Sequence, residues 1–178
     1  GPVWRNEKPG PDRFREFYKF DADIVGTSSF MADAEMCFIV FDVLKELGFS
    51  TGDYSTRISN RKILSGLIQA VKLEDTTILS DIELVVFRAI DKLDRLGLEG
   101  VKNLLAKGRT DSSGDFTEGA NLSADQIDTI ISFLKITNDD PYKTLEEMKY
   151  LIGDSEIGQQ GISELSNITD TLLSKDIS

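Results

Sequence analysis

The sequence predicts an α+β fold: a small antiparallel sheet with flanking helices first, and helices alone from about residue 72 onward. Three observations carry that expectation. Residues 13–25 alternate in polarity with a period of two, as a strand with one covered face does. Beyond residue 80 the apolar residues recur every three or four positions, the spacing of helices that bury one stripe. Helix-starting Ser, Thr and Asn residues and helix-ending glycines stand where these periods begin and stop.

Element by element, Val3-Trp4-Arg5-Asn6-Glu7 alternates as a first strand, and Lys8-Pro9-Gly10-Pro11-Asp12 is a breaker that a strand cannot cross. Residues 13–25 are expected as a long second strand. Tyr18, Phe20, Ala22 and Ile24 then face a core, while Arg13, Arg15, Phe17, Lys19, Asp21 and Asp23 share the opposite, charged face. Asp33 is expected to cap a helix with the stripe Met36, Ile39, Val40, Val43, Leu44 and Leu47, ended by Gly48. Residues 54–59 suggest a short strand, and Asn60 caps a helix burying Ile63, Leu64, Leu67, Ile68 and Val71. Ser80-x-x-Glu83 is a capping box ahead of Ile82, Val85, Val86, Ala89, Ile90 and Leu93. A shorter helix carries Val101, Leu104 and Leu105 and closes at Gly108, before a polar loop over residues 109–121. Ser123-x-x-Gln126 and Thr144-x-x-Glu147 form two further capping boxes, and a last helix is expected over residues 162–173.

Composition narrows the chemistry. With 178 residues, 40% hydrophobic and 29% charged, the chain can fold without a disulfide or a metal. Cys37 is the single cysteine, so neither an intrachain disulfide nor a cysteine zinc cluster forms. Its helical spacing from Val40, Phe41 and Leu44 points to packing. The absence of histidine excludes His-based triads and His metal sites. Asp111-Ser112-Ser113-Gly114-Asp115 lacks the ligand spacing of a calcium loop, so no metal-binding residue is expected. The longest apolar run, Met36 to Phe41, is too short to cross a membrane, and the first residues lack the apolar stretch of a secretory signal. Net charge is −11. Residues 1–23 are neutral, and residues 109–178 carry −9, which turns that last third away from phosphate backbones.

Arginine, carboxylate and backbone remain as the chemical repertoire. Arg5 on one arm of the hairpin and Arg13 at the loop exit can converge from two sides on a polyphosphate, with forked, charge-assisted hydrogen bonds. Phe17 offers a flat face to a base. The same residues also suit the solvated face of a charged hairpin.

These residues carry a family resemblance. Gly1-Pro2-Val3-Trp4-Arg5-Asn6-Glu7-Lys8-Pro9, Arg13-Phe14-Arg15-Glu16-Phe17 and Phe20-Asp21-Ala22-Asp23 resemble motif 2 of the class II aminoacyl-tRNA synthetases. Within that class they are similar to the bacterial, alphaproteobacterial type of the histidyl-tRNA synthetase family. The likeness continues through Asp33-Ala34-Glu35, Asp42-Val43-Leu44, Leu47-Gly48 and Arg57-Ile58-Ser59-Asn60-Arg61-Lys62-Ile63-Leu64-Ser65-Gly66. It extends to Arg88-Ala89-Ile90-Asp91-Lys92-Leu93-Asp94 and Gly108-Arg109-Thr110-Asp111-Ser112-Ser113-Gly114-Asp115-Phe116. It covers residues 1–134, and residues 135–178 by position.

The resemblance implies a catalytic-core fragment over residues 1–71 and a helical insertion domain over 72–178. It implies ATP-dependent activation of histidine to histidyl-adenylate and transfer to tRNA(His), with Mg²⁺ accompanying ATP as substrate, in a cytoplasmic homodimer with no membrane contact. By that match Arg5 is the catalytic arginine on the ATP α-phosphate and the amino-acid carboxylate, and Glu7 lies near the adenine end. Arg13 reaches the γ-phosphate and Phe17 stacks on adenine. Asp23 faces the substrate imidazole, and Lys19 stands in the histidine site where the family usually places a glutamine. Motif 1, the Arg-Gly-Leu-Asp-Tyr-Tyr histidine signature, motif 3 and the anticodon-binding domain are not in the chain, so a fragment is expected. The rival expectations are the non-catalytic regulatory paralogue acting with ATP phosphoribosyltransferase, and an acidic helical interaction module.

Overall fold

The computed structural model describes residues 1–50, 52–71, 79–111 and 114–174, with the side chains of residues 79–81 outside that description. The chain forms two compact units, Gly1–Tyr54 and Ser55–Ser178. Its class is α+β and helix-rich: seven helices and two small antiparallel sheets among the described residues.

In the first unit β1 (Pro2–Trp4) pairs antiparallel with β2 (Glu16–Tyr18), Val3 opposite Phe17. The Arg5 N–H bonded to the Arg15 carbonyl at 2.8 Å carries the pairing toward the loop. There Gly10 and Arg13 exchange both backbone hydrogen bonds, at 3.0 and 3.2 Å. Pro11 and Asp12 are thereby the two residues that turn the chain, as the breaker requires.

The second strand is much shorter than residues 13–25, and its faces are the reverse of those expected. Tyr18 is 86% and Phe20 75% exposed, whereas Val3 and Phe17 are half-buried. Alternation fixes which side chains share a face. Which face is covered depends on what packs there, and the Arg5 guanidinium lies over the Phe17 ring at 5.3 Å.

The helix α1 (Phe30–Glu46) starts earlier than expected. Ser29, not Asp33, is its N-cap, accepting from the Met31 N–H at 3.3 Å, and Asp33 falls in the first turn, where the helix dipole favours its charge. Gly48 ends it as expected. Its N–H bonds to Lys45 O and the Phe49 N–H to Leu44 O, the double closure that needs a left-handed residue, and Gly48 has φ 89°. Ala34 alone in this unit is fully buried among the described residues, and Val40 and Leu47 of the expected stripe are exposed. Residues 54–59 form no strand, because no second strand pairs with them among the described residues.

The second unit holds the core. It comprises α2 (Arg61–Ala70), α3 (Leu79–Ile90), α4 (Leu93–Leu105), β3 (Gly108–Thr110), β4 (Phe116–Glu118), α5 (Ala124–Leu134), α6 (Pro141–Ile152) and α7 (Glu156–Leu173). Leu67, Val86, Val101, Leu105, Ile130 and Ile152, one or more from each of α2 to α6, are fully buried. The closest crossing is α2 on α7. A methyl group on Gly66 would stand 2.4 Å from the Gly158 Cα, and one on Gly161 2.8 Å from Ile63 Cγ1. The expected caps at Asn60 and Ser123 form, the latter as a complete capping box. Gln126 of that box also donates to the Val71 carbonyl at 3.0 Å, tying the start of α5 to the end of α2.

Four local expectations differ. The helix region carries a hairpin, β3–β4, where a polar loop was expected. Asp111 closes its turn by accepting from the Asp115 N–H at 3.0 Å, and Gly114 supplies φ 90°. The chain after it then satisfies the open carbonyls at the end of α4: the N–H groups of Ala120, Asn121 and Leu122 bond to Leu104, Ala106 and Leu105 at 2.8–3.0 Å. Thr144 lies inside α6 rather than capping it, because Asp140 followed by Pro141 makes the stronger start. Ser155 caps α7, which begins at Glu156, well before residue 162. Ser80 lies inside α3, which begins at Leu79, rather than ahead of it, and its side chain is outside the described residues. By compactness the chain divides at Tyr54/Ser55, and α2 packs on α6 and α7 within the second unit.

Candidate functional site

The hairpin brings Arg5, Glu7, Arg13 and Phe17 together around a recess of about 330 Å³, which Asp12 and Phe14 also line. The geometry follows from the loop. Pairing across Arg5–Arg15 and the turn at Pro11-Asp12 return Arg13 to the side of the hairpin from which Glu7 projects. Arg13 Nε donates to Glu7 Oε2, and Arg5 Nη1 stands 3.7 Å from Glu7 Oε1. Arg15 Nε donates to the Glu7 main-chain carbonyl at 3.1 Å. The Arg13 hydrogen bond holds the Glu7 carboxyl below its ordinary value, and the same bond raises Arg13. The guanidinium groups remain open to solvent, with side chains 57% (Arg5) and 69% (Arg13) exposed. Two arginines aimed at one anion, beside an aromatic face, are suited to a phosphorylated ligand with a flat ring.

Lys19 and Asp23 lie outside this recess. Lys19 Nζ pairs with Asp21 Oδ1 at 2.5 Å, so the cation is neutralised by the carboxylate two positions on. Asp23 lines a separate recess of about 410 Å³ with Thr27, Ser28, Ser29, Asp33 and Met36, at the start of α1. The strand ends at Tyr18, so strand parity no longer relates Asp23 to Arg13 and Phe17. Glu7 is engaged by both arginines, and among the described residues no group of three or more His, Cys, Asp or Glu side chains gathers to hold an ion. The Cys37 thiol is half-buried and pushed up first by burial and then by Asp33, which disfavours the reactive thiolate.

Sequence reasoning did not single out Arg15 as the anchor of the Glu7 backbone, nor Asp12 and Phe14 as lining residues. The turn at Pro11-Asp12 was the signal that could have found the last two, since it folds its own neighbours over the site. A polar cluster in the second unit had no such signal. Asn60 Nδ2 donates to Glu164 Oε2 at 2.6 Å, Lys62 pairs with the other oxygen, and Arg61 lies over the Phe87 ring at 4.7 Å. Among the described residues no helix is long and apolar enough to cross a membrane.

No protein-family model matches the chain. Individual relatives do. It is 49% identical over 175 residues to the histidine–tRNA ligase of Dinoroseobacter shibae, covering 97% of this chain and 35% of that protein. It is 47% identical over 174 residues to that of Rhizobium meliloti, and 49% over 168 residues to that of Bartonella henselae, covering 34% of each. The chain thus spans about a third of the length of the curated relatives it matches.

Proposed function

On the premise that this chain is a relative of a segment of the histidine–tRNA ligases along 97% of its length, we propose that it supplies the ATP-holding hairpin and a helical insertion of such an enzyme. The reaction is the activation of histidine by ATP followed by transfer to tRNA(His), in the cytoplasm. The observation that carries this reading is the convergence of Arg5, Glu7, Arg13 and Phe17 on one recess.

In that chemistry the protein needs no nucleophile. The histidine carboxylate attacks the ATP α-phosphorus and pyrophosphate leaves. Arg5 neutralises charge that builds on the α-phosphate, Arg13 holds the far end of the triphosphate, and Phe17 supports the adenine ring. Mg²⁺ arriving with ATP as part of the substrate would screen the charge of the phosphates. Keeping both arginines and the aromatic ring in one place favours the synthetase over its regulatory paralogue, which has no need of ATP contacts.

The test is a chimera in which this chain replaces the matching segment of the Dinoroseobacter shibae ligase. Histidine-dependent ATP–pyrophosphate exchange is expected. Arg5→Ala should lower kcat by about 10²–10³, the usual cost of removing a preorganised charge-stabilising donor. Arg13→Ala should act mainly on the KM for ATP. A folded chimera without exchange activity would refute the reading.

A further inference from the structure

Both guanidinium groups that line the recess already face one anion of the protein itself. Glu7 Oε2 accepts from Arg13 and Glu7 Oε1 faces Arg5 Nη1 at 3.7 Å, so one carboxylate bridges two guanidinium groups from opposite arms of the hairpin. A phosphate entering the recess competes with Glu7 for the same two cations, and a guanidinium shared between two anions holds each less strongly than it would hold one. Without an anion between them the two cations repel. The geometry points to Glu7 as a resident anion that keeps Arg5 and Arg13 converging while the site is empty and is exchanged for polyphosphate when nucleotide arrives. It is a positioning residue, and its role rests on the ATP reading above.

Two further details fit an exchange. Arg15 holds Glu7 by its main-chain carbonyl, so the backbone stays anchored when the carboxylate swings out. The arginine side chains face solvent, which leaves the incoming phosphate a path that requires no other movement. The exchange is also linked to protons. Arg13 depresses the Glu7 carboxyl in the empty site, and a released Glu7 beside bound phosphate loses that support, so binding raises its proton affinity.

Inorganic tripolyphosphate titrated calorimetrically into the whole chain tests this, with Glu7→Gln, Glu7→Asp and Arg13→Gln alongside. Glu7→Gln removes the competitor and should bind about two- to fivefold more tightly than the parent, the scale of an exposed ion pair. Glu7→Asp should stay near the parent, and Arg13→Gln should bind more weakly than either. The advantage of Glu7→Gln should shrink as pH falls through the carboxylate range, where the parent becomes neutral at that position too. The parent, titrated in buffers of different ionisation enthalpy, should take up protons on binding near pH 4–5 (roughly the lower carboxylate range), and Glu7→Gln should not. If Glu7→Gln binds equally or more weakly while the parent still binds, the exchange is wrong and the nucleotide reading survives. If neither binds, the anion site itself is wrong and the exchange falls with it.

Discussion

Glu164 on α7 accepts from the Asn60 amide at 2.6 Å and pairs with Lys62, and these contacts hold its carboxyl below the ordinary 4.5, the Lys62 bond contributing most. A carboxyl held lower in the folded state than in the unfolded one adds stability above its unfolded value and loses it as pH falls through the folded value. The pair is partly open to solvent, so Glu164→Gln is expected to cost only about 0.5–1 kcal/mol at pH 7. Urea unfolding of parent and variant should show that difference closing below about pH 4; a difference that persists at low pH would mean the carboxylate charge is not what stabilises. The contrast with the hairpin shows what a sequence discloses at this scale. Arg5, Arg13 and Phe17 were legible together because a short breaker loop ties their positions, whereas Glu7 entered only through the family resemblance. Asn60 was legible as a cap, since capping is local. Its amide partner lies more than 100 residues away, and no periodicity relates the two.

Between α2 and α7, two glycines decide the distance of approach. In Gly66→Ala the new methyl meets the Gly158 backbone at 2.4 Å, so a helix must move. A loss of about 2–3 kcal/mol is expected, even though alanine favours a helix over glycine by about 1 kcal/mol. Gly97→Ala tests a different cause. The residue has open space around it but sits at φ 65°, ψ 177°, a region essentially reserved for glycine, where an L side chain costs about 1–3 kcal/mol. Denaturant midpoints of both variants check these values, and a neutral Gly66→Ala would show that the crossing is looser than described. Most helices were legible from their apolar period and only their ends moved, because several capping residues compete within one turn: Ser29 prevailed over Asp33, and Asp140-Pro141 over Thr144. The hairpin β3–β4 was not legible, since strands of three residues offer no period to count. Residues 13–25 were over-read for the opposite reason: alternation runs on to Asp23, but backbone pairing stops at the Gly1–Lys19 pair.

At the scale of the molecule, nearly all of the fully buried side chains among the described residues lie in the second unit. Residues 55–178 produced alone are expected to show a helical circular dichroism spectrum and a single cooperative thermal transition, whereas residues 1–54 alone should show no such transition. A non-cooperative melt of 55–178 would mean that the core depends on the first unit. The closest contact of that core also joins elements far apart in sequence. α2 ends at Ala70 and α7 begins at Glu156, and Gly66 reaches its partner only when Gly158 exists. At about 5–20 residues per second of synthesis, a ribosome needs on the order of 5–20 s to make the intervening stretch. During that interval the apolar face of α2 has emerged with its main partner unmade, so the nascent chain passes through a window in which a chaperone has something to hold.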